Sequence, residues 1–185
     1  MVGKKNVVFG FLYLVFTASL GVLMVDMGQD VGAALQQKQV DVGRLAQLQS
    51  SEFEEELEPL NADQIARANT AGILALNKLH NTQMAIDRIK GGPHTHGNLE
   101  SLLNIVVGIA LGFIAVASWM KQVVSWLFIL GALLHSGALY LGVVFEQHWA
   151  VQILETGIGP GMILLGLLAM ALLAAKGFRN EWARD

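Results

Sequence analysis

Apolar residues run almost unbroken through residues 7–25, 102–120, 123–145 and 151–175, and a polar segment, residues 26–98, separates the first stretch from the others. A bilayer's hydrocarbon core takes about 20 apolar residues of helix, so each stretch is long enough to cross it. The first follows Lys4 and Lys5 as a signal peptide would. Its apolar core is long, however, and its small-residue cleavage pattern is poor, which points to an uncleaved anchor.

The polar segment keeps a helical rhythm. Before Pro59, Val31, Leu35, Val42, Leu45, Leu48 and Phe53 recur at spacings that put apolar side chains on one helical face. After it, Ile65, Ala68, Gly72, Leu76, Leu79, Ile86 and Ile89 do the same. Asn61 with Gln64 three residues later has the form of a capping box, and Gly91-Gly92-Pro93 is a stop signal. The two periodic stretches, residues 28–58 and 62–90, would each span about 45 Å as helix. The pattern therefore predicts an all-α integral membrane protein: four transmembrane helices, with a long extracytoplasmic antiparallel α-hairpin between helices 1 and 2. The expected divisions are residues 1–27 for the first span, 28–92 for the hairpin, 93–120, 121–147 and 148–178 for the later spans, and 179–185 for a tail.

Composition agrees with a bilayer as solvent. Hydrophobic residues make up 54% of the 185 and charged residues 15%, with a mean hydropathy of +0.50. A water-soluble domain carries about 25% charged residues. These figures exclude a disordered tail and a nucleic-acid binder. The chain has no Cys, which removes disulfides, thiolate zinc sites, iron–sulfur clusters and c-type haem attachment. No Walker, Rossmann or nucleophile-elbow motif is present.

The formal charge of -3 becomes informative once divided by side. Lys4, Lys5, Lys121, Lys176, Arg179 and Arg184 all fall on one face of the predicted membrane, which makes both termini cytoplasmic in a multi-pass cell-membrane protein. Two helices alone bury little apolar surface, so the hairpin calls for a second copy of the chain or a subunit of a larger membrane complex. Its acidic tip, residues 52–58, reads either as a solvated helix end or as a docking patch.

Any metal must be held by His, Met, Asp or Glu. His94 and His96 stand where the chain re-enters the membrane, His148 in the turn before the last span, and Glu146 and Glu155 near the same outer level. Imidazole suits zinc, copper and iron, and a carboxylate can complete such a set. His94, His96, His148 and Glu155 are thus the candidate ligands for copper or zinc. For a b-type haem the candidate axial pair is His96 with His148, with His94 as substitute. His94 and His96 cannot share a helical face, so chelation by both requires an extended or turn segment after Pro93. Interfacial anchoring or helix capping by these His residues is the plainer alternative.

His135 lies deep in the third predicted span. An ionisable group there marks a functional position. It is read either as a ligand, with Met162 at similar depth, or as a hydrogen-bonding residue paired with Asn104. Ser101, Asn104, Gly108, Gly112 and Ala115 form a small-residue stripe in the second span; its Gly108-to-Gly112 motif predicts a helix-packing seam. Gly157-Ile158-Gly159-Pro160-Gly161 predicts a break near the start of the last span. Trp119, Trp126, Trp149 and Trp182 fall at the membrane surfaces. Two functions follow as expectations. One is a transition-metal or b-type haem protein for electron transfer or metal handling. The other is a non-catalytic accessory or scaffold subunit that docks through its hairpin.

Overall fold

The computed structural model describes residues 2–55 and 58–182, so Arg184 and Glu56 of the acidic tip lie outside the described residues. The protein is almost wholly helical. Its elements are α1 (Lys4–Ala18), α2 (Leu20–Ser50), a minimal strand pair β1 (Glu54–Glu55) and β2 (Glu58–Pro59), α3 (Ala62–Ile89), α4 (Thr95–Ala110), α5 (Ser118–Ala132), α6 (Ala138–Val144), α7 (His148–Glu155) and α8 (Ile158–Gly177). They divide into two compact units, Met1–Val22 with Arg88–Asp185, and Leu23–Asp87. Three helical runs, Lys4–Ser50, Ser118–Val144 and Ile158–Gly177, are long and apolar enough to cross a membrane.

In the larger unit, α1 packs along α4 and α5 along α8. Buried positions on α1 recur as Asn6, Gly10, Tyr13 and Thr17, a heptad-like spacing that gives one continuous seam. The facing positions of α4 are also small or polar: Gly97, Ser101, Asn104 and Gly108 are buried. A Cβ on Gly10 would stand 2.6 Å from the Ser101 carbonyl oxygen, and one on Gly108 would stand 2.6 Å from the Gly3 carbonyl oxygen. Glycine is required there because the two backbones nearly touch. Gly108 thus packs a helix as its motif predicts. At Gly112 the nearest neighbour is instead the Trp182 ring.

The second apolar stretch also ends earlier than its hydropathy suggests. After Leu111–Phe113, a short 3-10 turn, Ile114 is extended and bridges Phe178. The Ala115 amide donates to the Gly177 carbonyl at 2.8 Å and the Arg179 amide to that of Phe113 at 2.8 Å. These bonds tie the ends of α4 and α8 together and satisfy backbone groups that a continued helix would otherwise use. Met120 therefore belongs to α5. The core beneath is Val107, Leu111, Ile114, Val124, Phe128 and Leu173.

Between α7 and α8 the helix breaks at Gly157, whose φ of 67° is left-handed, and α8 restarts at Ile158 with Pro160 in its first turn. The break leaves α7 as a separate short helix ending in Glu155. In the smaller unit, α2 and α3 approach closely where Gly72 meets the Leu45 side chain. The capping box closes in both directions: the Gln64 amide donates to Asn61 Oδ1 at 2.9 Å, and the Asn61 amide donates to Gln64 Oε1 at 2.9 Å. Gly92 leaves helical geometry (φ -98°, ψ -107°), so the chain kinks there before α4.

Candidate metal centre

His135 and Ser136 lie in Leu133–Gly137, a π-helical turn between α5 and α6. Such widened turns are frequent at functional sites. Consecutive helical residues point about 100° apart, yet both of these side chains reach one carboxylate. His135 Nδ1 is 2.5 Å from Glu100 Oε1, and the Ser136 hydroxyl donates to Glu100 Oε2 at 2.5 Å. Glu100 is 5% exposed and sits on α4 one turn after His96. The His96 ring in turn packs on the His135 ring with centroids 4.8 Å apart.

Proton accounting fixes the donors. The Ser136 hydroxyl has one proton and gives it to Glu100, so the Tyr13 hydroxyl donates to Ser136 Oγ, at 2.9 Å. The contact between His135 Nδ1 and Glu100 Oε1 shares one proton between a ring nitrogen and a carboxylate oxygen. One ligand atom from each of His96, Glu100 and His135 lies within 4.8 Å of the other two. Ligands bonded to one zinc ion at about 2.0–2.1 Å stand roughly 3.4 Å apart, so binding would draw the group inward and replace the direct contact between His135 and Glu100. Each carboxylate oxygen of Glu100 also has a further lone pair beyond the one used by His135 or Ser136.

Two further polar layers cross the α1 seam. Asn6 Nδ2 donates to Asn104 Oδ1 at 3.0 Å and to the Ser125 carbonyl at 3.1 Å, while the Ser125 hydroxyl donates to Asn6 Oδ1. Asn104 Nδ2 donates to the carbonyls of Glu100, at 3.0 Å, and Phe128, at 3.2 Å. Toward the other end of α1, the Thr17 hydroxyl donates to Asn98 Oδ1 at 2.8 Å. Among the described residues no buried side-chain polar atom lacks a partner.

Several expected site residues stand elsewhere. His94 and Thr95 are helical, so His94 points away from His96; its Nδ1 contacts the Thr17 carbonyl at 3.2 Å. Chelation by the His94-Thr95-His96 pair is therefore excluded by backbone geometry. His148 opens α7 and Glu155 closes it; both are exposed, and neither joins the His96 group. His135 bonds Glu100 instead of Asn104, whose own groups are taken by Asn6 and two carbonyls. Met162 is half-buried one turn after Gly159, and it is Gly159 that lies against the His135 backbone.

Glu100 is the residue that sequence reasoning missed. It sits at the margin of the second apolar stretch, where an acid reads as interfacial. Its signal was the spacing of four from both His96 and Asn104, which extends the small-residue stripe of α4 toward His96. No protein-family model matches the chain, and no curated protein or solved structure matches it either.

Proposed function

We propose that this chain is an integral membrane helical bundle that binds a divalent transition-metal ion, zinc or copper, between His96, Glu100 and His135, and serves metal handling. The buried Glu100 carboxylate carries the reading. It is an ionisable group inside an apolar bundle, held by His135 and Ser136 and backed by Tyr13. Such groups are costly within a membrane and mark functional sites. Two imidazoles and a carboxylate leave a fourth position of a tetrahedral ion open, as an exchangeable or catalytic site requires. A b-type haem fits poorly, because axial imidazoles stand on opposite faces of a macrocycle, whereas these two rings pack directly on each other.

In this reading α4 is a fourth crossing. Its 16 helical residues cover about 24 Å and the 3-10 turn after it about 6 Å, together the thickness of a hydrocarbon core. Both termini then face the cytoplasm and the segment between α1 and α4 lies outside, as the distribution of Lys and Arg favours.

Equilibrium dialysis of the full-length protein in detergent against zinc and copper tests the site. About one ion per chain is expected. His96→Ala or His135→Ala should lose more than the roughly 10- to 100-fold typical of an outer-shell partner. His148→Ala and Glu155→Ala should bind as the parent does. Equal binding by the parent, His96→Ala and His135→Ala overturns the proposal. A second reading, docking to a larger membrane complex through the smaller unit, is favoured by exposed Val40, Ile73 and Leu74 on α2 and α3. Deletion of residues 31–89 would then abolish complex formation while metal binding persists.

A further inference from the structure

A cleft of about 200 Å³ lies between α5 and α8. Trp119, Met120, Val123, Ala169 and Leu172 line it over a floor of Val124 and Leu173, and no charged side chain enters it. Both walls belong to helical runs long and apolar enough to cross a membrane. Trp119 is 67% exposed at one end, and exposed Lys176 stands one helical turn beyond Leu172. Arg179 follows just past the end of α8, and its amide is bonded to Phe113 at the same end of the bundle.

We propose that this cleft seats one acyl chain of an anionic glycerophospholipid whose phosphate is held by Lys176. The inference rests on the membrane placement above and is independent of the metal site. The lining selects the tail: it is apolar throughout, and both walls are runs apolar enough to cross a membrane, so an acyl chain of the surrounding lipid is the occupant of matching chemistry. Charge selects the headgroup. Lys176 and Arg179 flank this end of α8, and Glu181 is the one acid that follows them among the described residues. Lys side chains extend from an apolar wall to the headgroup level, and basic residues beside a membrane attract anionic lipid. An exposed Trp at the same level belongs to the ordinary interfacial belt.

The test is native mass spectrometry of the full-length protein with added phosphatidylglycerol or phosphatidylcholine of matched acyl chains. One phosphatidylglycerol should remain bound per chain, preferred over phosphatidylcholine by about fivefold, the effect of one Lys near an anionic surface. Lys176→Ala should abolish the preference, and Ala169→Trp should release both lipids by filling the cleft. Equal retention of the two lipids by the parent overturns the headgroup assignment. Displacement of phosphatidylglycerol by inorganic phosphate would show an anion site without a tail and overturn the proposal, as would a dimer with no bound lipid. Flotation with neutral and anionic vesicles separates the premises: a chain that floats with neither contradicts membrane placement itself, whereas one that floats with both leaves the lipid test decisive.

Discussion

Glu100 makes a 2.5 Å contact through each carboxyl oxygen, to His135 and to Ser136, in a site that would otherwise exclude it. Moving a carboxylate out of water costs several kcal/mol, and hydrogen bonds to both oxygens offset that cost. Ser136 bonds Glu100 directly, while the hydrogen bond of Tyr13 goes to Ser136. Ser136→Ala should therefore weaken zinc binding by about 10- to 100-fold, and Tyr13→Phe should weaken it less. Competitive titration against a chromophoric chelator checks the order, and a larger loss in Tyr13→Phe would contradict it. At this scale the sequence was half legible. His96 and His135 stand out as ionisable groups at or inside apolar stretches. That they share Glu100 depends on how α4 faces the π-helical turn, which no spacing within one helix encodes. His148 and Glu155 looked equally suitable because proximity to a membrane level is visible in a sequence, and burial is not.

The elements were legible wherever periodicity or a cap marks them. The Asn61–Gln64 box and the break before Pro160 follow from local chemistry alone. The end of α4 was hidden because Phe113, Ile114 and Val116 are as apolar as the helix before them, and the chain leaves helix there to bridge Phe178. The tight seam between α1 and α4 went unread because a first apolar stretch resembles any anchor; its sign was Asn6, Gly10, Tyr13 and Thr17 at alternating spacings of four and three. That seam makes a direct prediction. Gly10→Ala forces a methyl against the Ser101 carbonyl and should destabilise the protein by about 1–3 kcal/mol. Gly43, with nothing within 4 Å of a Cβ, is an exposed mid-helix position. Gly43→Ala should stabilise its helix by about 0.5–1 kcal/mol. Thermal unfolding in detergent distinguishes the two, and a neutral Gly10→Ala would refute the close contact.

For the whole molecule, the absence of Cys allows topology to be read with single replacements. Glu54→Cys, exposed in β1, should react with an impermeant maleimide on intact cells, and Ser118→Cys, exposed at the start of α5, only after the membrane is opened. The reverse pattern would invert the proposed orientation. Orientation, bundle and polar layers meet in one claim, that His96, Glu100 and His135 together hold a metal ion inside an apolar fold. X-ray absorption at the zinc edge of the zinc-loaded protein tests it most directly. Only nitrogen and oxygen neighbours at about 2.0–2.2 Å are expected, with the signature of two imidazoles that falls to one in His96→Ala. A spectrum without imidazole, or one unchanged by that replacement, would contradict it.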